Sequence, residues 1–372
     1  LTSGDTTDDT ALVLSGTNIA GSTVNVFDGN TLLGAAVIVD TTWSYTATIA
    51  NGTSYSFTTK ETDTAGNTSD ASSAFAVTGD TTAPTASVTT ATAMNTANAV
   101  VQSTEVGTAY IVKDSVTVID EASITGAADN EFNTVAIATA ATDTDLALTG
   151  LIDGTYKVYT VDAAGNLSAA STNTVTVDTT APTASAIVAT DSEGSVTGAL
   201  TSGDTTDDTA LVLSGTNIAG STVNVFDGNT LLGAAVIVDT TWSYTATIAN
   251  GTSYSFTTKE TDTAGNTSVA SSAFAVTGDT TAPTASAIVA TDDIGSVKEE
   301  LTSGDTTDDT ALVLSGTNIA GSTVNVFDGN TLLGAAVIVD TTWSYTATIA
   351  NGTSYSFTTK ETDTAGNTSD AS

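Results

Sequence analysis

Cysteine and histidine are both missing from this chain, and so is arginine. Without the first two there is no disulfide framework, no thiol nucleophile, no imidazole base and no ordinary zinc or haem site. Basic residues amount to 6 lysines against 42 acids, for a net charge of -36. Such a chain cannot neutralise phosphates, which excludes nucleic acid as a partner. So few lysines can pair with only a small share of the carboxylates, and the rest must be hydrated or hold a cation. Long apolar runs are also scarce. The longest, Leu32 to Val39, is too short to span a bilayer, and no cationic segment precedes an apolar stretch near the start as in a signal peptide. A soluble chain with no membrane insertion is expected, and the acid excess leans towards an extracellular setting. Proline occurs 3 times, at Pro84, Pro182 and Pro283, each inside "DTTAPTAS".

Thr, Ser, Ala, Gly, Val and Asp fill the remainder, a composition that favours strands and turns over helices. Internal repetition sets the architecture. One long stretch, beginning "LTSGDTTDDTALVLSGTNIAGS" and ending "ETDTAGNTS", starts at Leu1, Leu200 and Leu301. A fourth, divergent unit keeps only "VDAAGNLSAASTNTVTVDTTAPTAS" at its end. Cutting at the prolines gives an opening repeat over residues 1–82 without its first strand, a divergent repeat over 83–180, a full repeat over 181–281, and a last one over 282–372 without its closing strand. The sequence therefore reads as a window on a longer repetitive chain. Each unit has the size of one β-sandwich.

In the fullest copy seven strands are predicted: 185–189, 210–214, 222–226, 231–238, 242–248, 253–261 and 272–277. Alternation puts Trp242, Tyr244, Ala246 and Ile248 on one face, with Trp242 central to the core, and pairs Tyr254 with Phe256. The expected fold is all-β: tandem seven-stranded antiparallel sandwiches, Ig-like in design, set end to end as a rod.

An odd number of antiparallel strands makes the chain enter a sandwich at one end and leave at the other. The "D-x-A-G-N" loop between strands six and seven then faces the "DTTAP" joint of the preceding unit. Each joint is expected to gather oxygen ligands: Asp80 with Asp162 and Asn166, Asp178 with Asp262 and Asn266, and Asp279 with Asp363 and Asn367. Asp63 and Asn67 hold the same loop positions in the opening unit. The acidic loop after strand one adds Asp191 to the third joint, and Asp292 with Asp293 occupy that loop in the last unit. Hard oxygen donors with no basic side chain nearby suit Ca²⁺. The plainer alternative makes "D-x-A-G-N" a tight turn, with Gly at positive φ and Asp and Asn bonding their own backbone, and "DTTAP" a bare linker. The "GDTTDD" loop reads as a solvated acidic loop.

Other signals carry less. Glu61 points inward and Lys60 outward, which argues against a lysine–asparagine crosslink in the core. The "NGT" and "NTS" sequons are cheap in a chain this rich in threonine. Repeated turn acids lack the unique cluster that a glycosidase pair requires, so no enzyme is expected. The segment "TVIDEASITGAADNEF" of the divergent unit reads as acidic and irregular; this unit is a second kind of spacer or, in the alternative, a glycan-binding module.

Taken together, "GDTTDDTALVLSGTNIAGSTVNVFDGNTLLG", a strand opening "WSYT", "DTAGNTS" and the closing "DTTAPTAS" resemble the bacterial Ig-like repeats of large surface adhesins, of the RTX and biofilm-associated kinds. The resemblance implies extender domains on the bacterial cell surface that bind Ca²⁺ at their junctions and hold an adhesive tip away from the cell. Partners would be neighbouring domains of the same chain. The alternative is a self-assembling filament or surface-layer subunit in which another copy supplies a strand.

Overall fold

The computed structural model describes residues 1–296 and 298–372. Strands dominate, and the chain divides into two compact units, residues 1–180 with 263–266 and residues 181–262 with 267–372.

In the first unit, residues 5–79 form a sandwich. Its larger sheet runs in the order Asp5–Thr7, Phe75–Gly79, Ser54–Thr62, Thr23–Asp28, Thr31–Ala35, and its smaller sheet in the order Ala11–Thr17, Thr42–Thr48, Val37–Val39. Strand alternation sends Leu12 and Ala47 from the small sheet and Val26, Phe57 and Val77 from the large one into a single core. The divergent repeat builds a second sandwich from Ala91–Ala93, Val175–Val177, Gly154–Asp162, Gly107–Lys113 and Phe132–Ile137 against Thr144–Ala147, Asn98–Ser103 and Ala86–Val88.

The continuous apolar run Ala109–Val112 in that sandwich is buried on both faces. Ala109 and Ile111 join the main core, whereas Tyr110 and Val112 pack outward against Ile124, Val161, Phe132 and Leu167. The segment predicted as irregular thus supplies a short helix, Glu121–Thr125, capped by the Asp120 carboxylate on the Ser123 N–H at 2.7 Å, which covers the outer face of the sheet. Tyr110 Oη donates to Glu121, and burial first, then that acceptor, pushes its pKa up to about 12.

In the second unit, residues 188–278 form two five-stranded sheets, and residues 289–362 a five-stranded and a three-stranded sheet. Trp242 lies 2% exposed with Leu211, Leu213, Val225 and Phe256 around it, and its Nε1–H donates to Ser185 Oγ at 3.1 Å. Gly215 permits that packing, because a Cβ there would sit 2.7 Å from Trp242 Nε1.

Two details differ from the expected strands. The run 231–238 is two strands, Thr230–Ala234 in one sheet and Val236–Val238 in the other. Small residues at Gly233, Ala234 and Ala235 let the chain turn the corner, where the Ala235 N–H bonds the Val223 carbonyl at 2.8 Å. The loop after the first strand is also partly structured. Gly198–Leu200 pairs antiparallel with Val188–Asp191, and Thr205–Thr206 pairs parallel with Phe274–Gly278.

Candidate cation site at the sandwich junctions

The "D-x-A-G-N" loop closes on its own aspartate. Asp162 Oδ1 accepts N–H bonds from Ala164 at 2.8 Å, Gly165 at 2.9 Å and Asn166 at 2.9 Å, and Oδ2 accepts from Asn166 Nδ2 at 2.8 Å. Gly165 has φ 102°, a value that requires glycine. Asp363 repeats the pattern with Ala365, Gly366 and Asn367, and Asp63 with Ala65 and Asn67. These bonds hold Asp63 below the usual carboxylate range, the Asn67 side chain contributing most.

The asparagine then reaches beyond its loop. Asn166 Nδ2 donates to the Asp80 carbonyl at 3.0 Å within the first unit, and Asn367 Nδ2 to the Asp279 carbonyl at 2.8 Å within the second. Asn266, which groups with the first unit, bonds the Asp178 carbonyl at 3.0 Å, while Asp262 belongs to the second.

Each "DTTAP" segment is also latched to its own sandwich. Thr81 N–H donates to Asn51 Oδ1 at 2.9 Å and Asn51 Nδ2 to Thr82 Oγ1 at 2.8 Å; Asn250 does the same for Thr280 and Thr281 at 2.9 and 2.8 Å. In the divergent repeat Asp153 takes this place, accepting from Thr179 N–H at 2.8 Å and Thr180 Oγ1 at 2.9 Å.

Carboxylates converge where the latched segment meets the closed loop. In the first unit, oxygens of Asp80, Glu105 and Asp162 all lie within 4.8 Å of one another. Burial and then the charges of Asp80 and Asp162 raise the Glu105 pKa. Unit charges at that spacing repel by about 1 kcal/mol in water and about 3 kcal/mol at an effective dielectric near 20. Asp8 stands against the same loop, its Oδ2 3.7 Å from where a Gly165 Cβ would be.

In the second unit Asp191 and Asp208 are 3% and 2% exposed. Asp191 Oδ2 accepts from Thr206 Oγ1 at 2.6 Å, and Asp208 Oδ2 from Ser192 Oγ at 2.9 Å. Asp207, next to Asp208 in the chain, has a buried Oδ1 without a donor. Burial raises its pKa, and the charges of Asp191, Asp363 and Asp208 raise it further. Ser195 N–H bonds the Gly366 carbonyl at 3.1 Å, bringing the Asp363 loop alongside. The last sandwich repeats the cluster with Asp292 and Asp309, 6% and 3% exposed. Asp309 Oδ1 accepts from Ala311 N–H, but its buried Oδ2 has no donor. Asp292 lines a cleft of ≈ 330 Å³ with Glu299 and Asp308, whereas the neighbouring Asp293 is exposed.

Of the residues expected at junctions, Asn166 reaches both Asp80 and Asp162, Asn367 reaches both Asp279 and Asp363, and Asp191 stands near Asp207. Glu105 was not among them, and of the "GDTTDD" acids read as solvated Asp208 and Asp309 are buried and Asp207 is half-buried, whereas Asp8 and Asp308 are exposed. The available signal was the tetrapeptide "GDTT", present at 203–206 and again at 278–281. The two copies pair side by side, Thr206↔Gly278, and Asp279 N–H bonds the Thr206 carbonyl at 2.8 Å.

Every candidate ligand is an oxygen. The donor set fits a hard divalent cation: carboxylates crowd together, two buried carboxylate oxygens lack any donor, and among the described residues the ion pair Lys157–Asp114 involves none of these acids.

The buried glutamates do different work. Glu260, 1% exposed, accepts from Ile218 N–H at 2.6 Å and Ser221 Oγ at 2.5 Å and so pins the "NIAGS" loop. The adjacent Lys259 lies outside, 5.6 Å over the Phe226 ring.

Comparison with known families adds the fold's name. The bacterial Ig-like domain family matches residues 2–81 and 183–280. Both regions fold as Ig-like β-sandwiches. Among curated proteins, Exoglucanase B of Cellulomonas fimi is 34% identical over 271 residues, 68% of this chain and 22% of that protein. Chitinase A1 of Niallia circulans is 37% identical over 175 residues, 45% of this chain and 23% of that protein. The chain with its Ig-like domains thus spans under a quarter of either relative's length. Among solved structures, the Bacteroides ovatus mixed-linkage glucan utilization locus SGBP-B matches at 14% identity and TM-score 0.18, over 93% of this chain and 87% of that one. The fibronectin(III)-like modules of Clostridium thermocellum CbhA match at 10% identity and TM-score 0.19, over 75% and 90%. Scores that low bear on neither fold nor function. Among the described residues no helix is long and apolar enough to cross a membrane.

Proposed function

We propose that this chain is a non-enzymatic extender from an extracellular bacterial adhesin, whose Ig-like domains are stiffened at their junctions by Ca²⁺. The observation that carries the reading is the pair of buried carboxylate oxygens without donors, Asp207 Oδ1 and Asp309 Oδ2, each inside a cluster of acids. A hard cation would supply the positive charge that no side chain provides there. Asp80, Glu105 and Asp162 would hold it in the first unit, and Asp191, Asp207 and Asp208 beside the Asp363 loop in the second. The asparagine and latch hydrogen bonds position those acids. With the ion bound, repulsion among carboxylates becomes cohesion; without it, the junctions open.

Removing Ca²⁺ with a chelator is expected to lower Tm and to broaden the scattering profile, and adding Ca²⁺ back to restore both. Identical melting and scattering with and without Ca²⁺ would overturn the clamp. A second reading is favoured by the likeness to proteins named exoglucanase and chitinase: the same Ig-like domains would space the parts of a polysaccharide-degrading enzyme. The coding sequence on either side separates the two, a catalytic domain supporting the second and further repeats the first.

A further inference from the structure

In three repeats one continuous segment forms the outermost strand of both sheets. Thr31–Ala35 pairs only with Thr23–Asp28, and Val37–Val39 only with Thr42–Thr48; residues 230–238 and 331–339 do likewise in the second unit. Outermost strands present unpaired N–H and C=O groups, and natural proteins usually protect them with charge or proline. Here neither is present: "TLLGAAVIV" is uncharged from end to end, with Asp28 and Asp40 beyond it. Its apolar side chains face out, Leu32 at 56%, Val37 at 66% and Val39 at 63% exposure, and the same positions repeat at Leu231, Val236, Val238 and at Leu332, Val337, Val339.

Nothing in the fold demands this. The divergent sandwich closes its larger sheet with Phe132–Ile137, where Phe132 packs into the outer cluster and Ile137 is buried in the core, and no large apolar residue of that strand is exposed.

We propose that these uncharged edges are a self-association surface on which a second copy of the chain docks, edge strand against edge strand. Charge selects the occupant. A basic partner would be drawn to the 42 acids, not to an edge that carries none. An apolar partner must approach a chain of net charge -36 with an uncharged edge of its own. A second copy supplies that edge at matching length, and antiparallel pairing makes the contact self-complementary about a two-fold axis. Three edges per chain let weak contacts add by avidity. Long-range repulsion between copies opposes them, so association strengthens as salt screens the acids.

The absence of cysteine makes the test clean. With Ala35→Cys on the edge and Ala128→Cys in the divergent sandwich as control, a thiol crosslinker at raised monovalent salt with chelator present should join chains at residue 35 and not at residue 128. Sedimentation velocity of the unmodified chain should show dimers or larger species that grow with salt, and the triple variant V37K, V236K, V337K should stay monomeric with unchanged circular dichroism. Chelator removes any junction cation, so the outcome is separate from the Ca²⁺ reading. A chain that is monomeric at every salt concentration, or equal crosslinking at both positions, overturns the proposal. So would association that survives the triple variant, which would place the contact elsewhere.

Discussion

Asn166 spans two sandwiches of the first unit: its Nδ2 donates at 2.8 Å to Asp162 in its own loop and at 3.0 Å to the Asp80 carbonyl in the preceding "DTTAP" segment. One amide thus both closes the loop and docks it. Replacing Asn166 with alanine is expected to cost about 1–2 kcal/mol, since each lost hydrogen bond contributes about 1 kcal/mol. Urea unfolding measures the cost, and faster amide exchange confined to residues 163–167 would locate it. Unchanged exchange there would mean the loop holds without its asparagine.

The latch makes a sharper comparison. Asn250→Ala loses both bonds to Thr280 and Thr281 and is expected to destabilise by about 1–2 kcal/mol. Asn250→Asp should fall within about 0.5 kcal/mol of the parent, because Asp153 already performs this role, with Thr179 and Thr180 hydroxyls turned to donate. Equal losses for the two variants would show that a carboxylate cannot replace the amide here, and no loss in either would show that the latch contributes nothing.

Gly215→Ala forces a methyl to within 2.7 Å of the Trp242 indole. Overpacking of this kind costs about 1–3 kcal/mol. A lower midpoint in denaturant, together with an altered near-ultraviolet signal from the displaced tryptophan, is the expected result; the same signal as the parent would mean the core had room.

Acid should act in opposite directions on the two kinds of carboxylate. Glu105 and Asp207 have raised pKa values in the fold, so in cation-free buffer their charge opposes folding at neutral pH, and stability is regained as pH falls through their folded values. Glu61, Asp63 and Asp153 are lowered by hydrogen bonds, so they stabilise above their unfolded values and that support is lost as pH falls through their folded ones. In chelator, Glu105→Gln should therefore raise Tm at pH 7 and leave it unchanged once pH is below the unfolded carboxyl value of Glu105. A fall in Tm at pH 7 would show that the Glu105 charge is already neutralised.

Much of the framework was legible because alternation and repetition are local signals. "WSYTATI" placed Trp242 and Ala246 in the core correctly, and the repeated "D-x-A-G-N" and "DTTAP" motifs pointed to the pairs Asn166–Asp80 and Asn367–Asp279 that the fold joins. What escaped depends on partners distant in sequence. The parallel pairing of Thr205–Thr206 with Thr277–Gly278 has too few residues to show any period, and without it Asp207 and Asp208 read as solvated. Glu105 sits in the repeat that lost the common pattern, so no repeated motif pointed to it. The helix at Glu121 was hidden because its one buried residue, Ile124, packs on the outside of a sheet.

Asp63, Asp162 and Asp363 each accept N–H bonds from groups within five residues of themselves in their own "D-x-A-G-N" loops. Each loop's half of the junction can therefore be complete as soon as its own domain has folded. A long chain leaving a cell one repeat after another would then present finished sockets in sequence, and assembly of the whole would reduce to rigid pieces meeting in the order of their export.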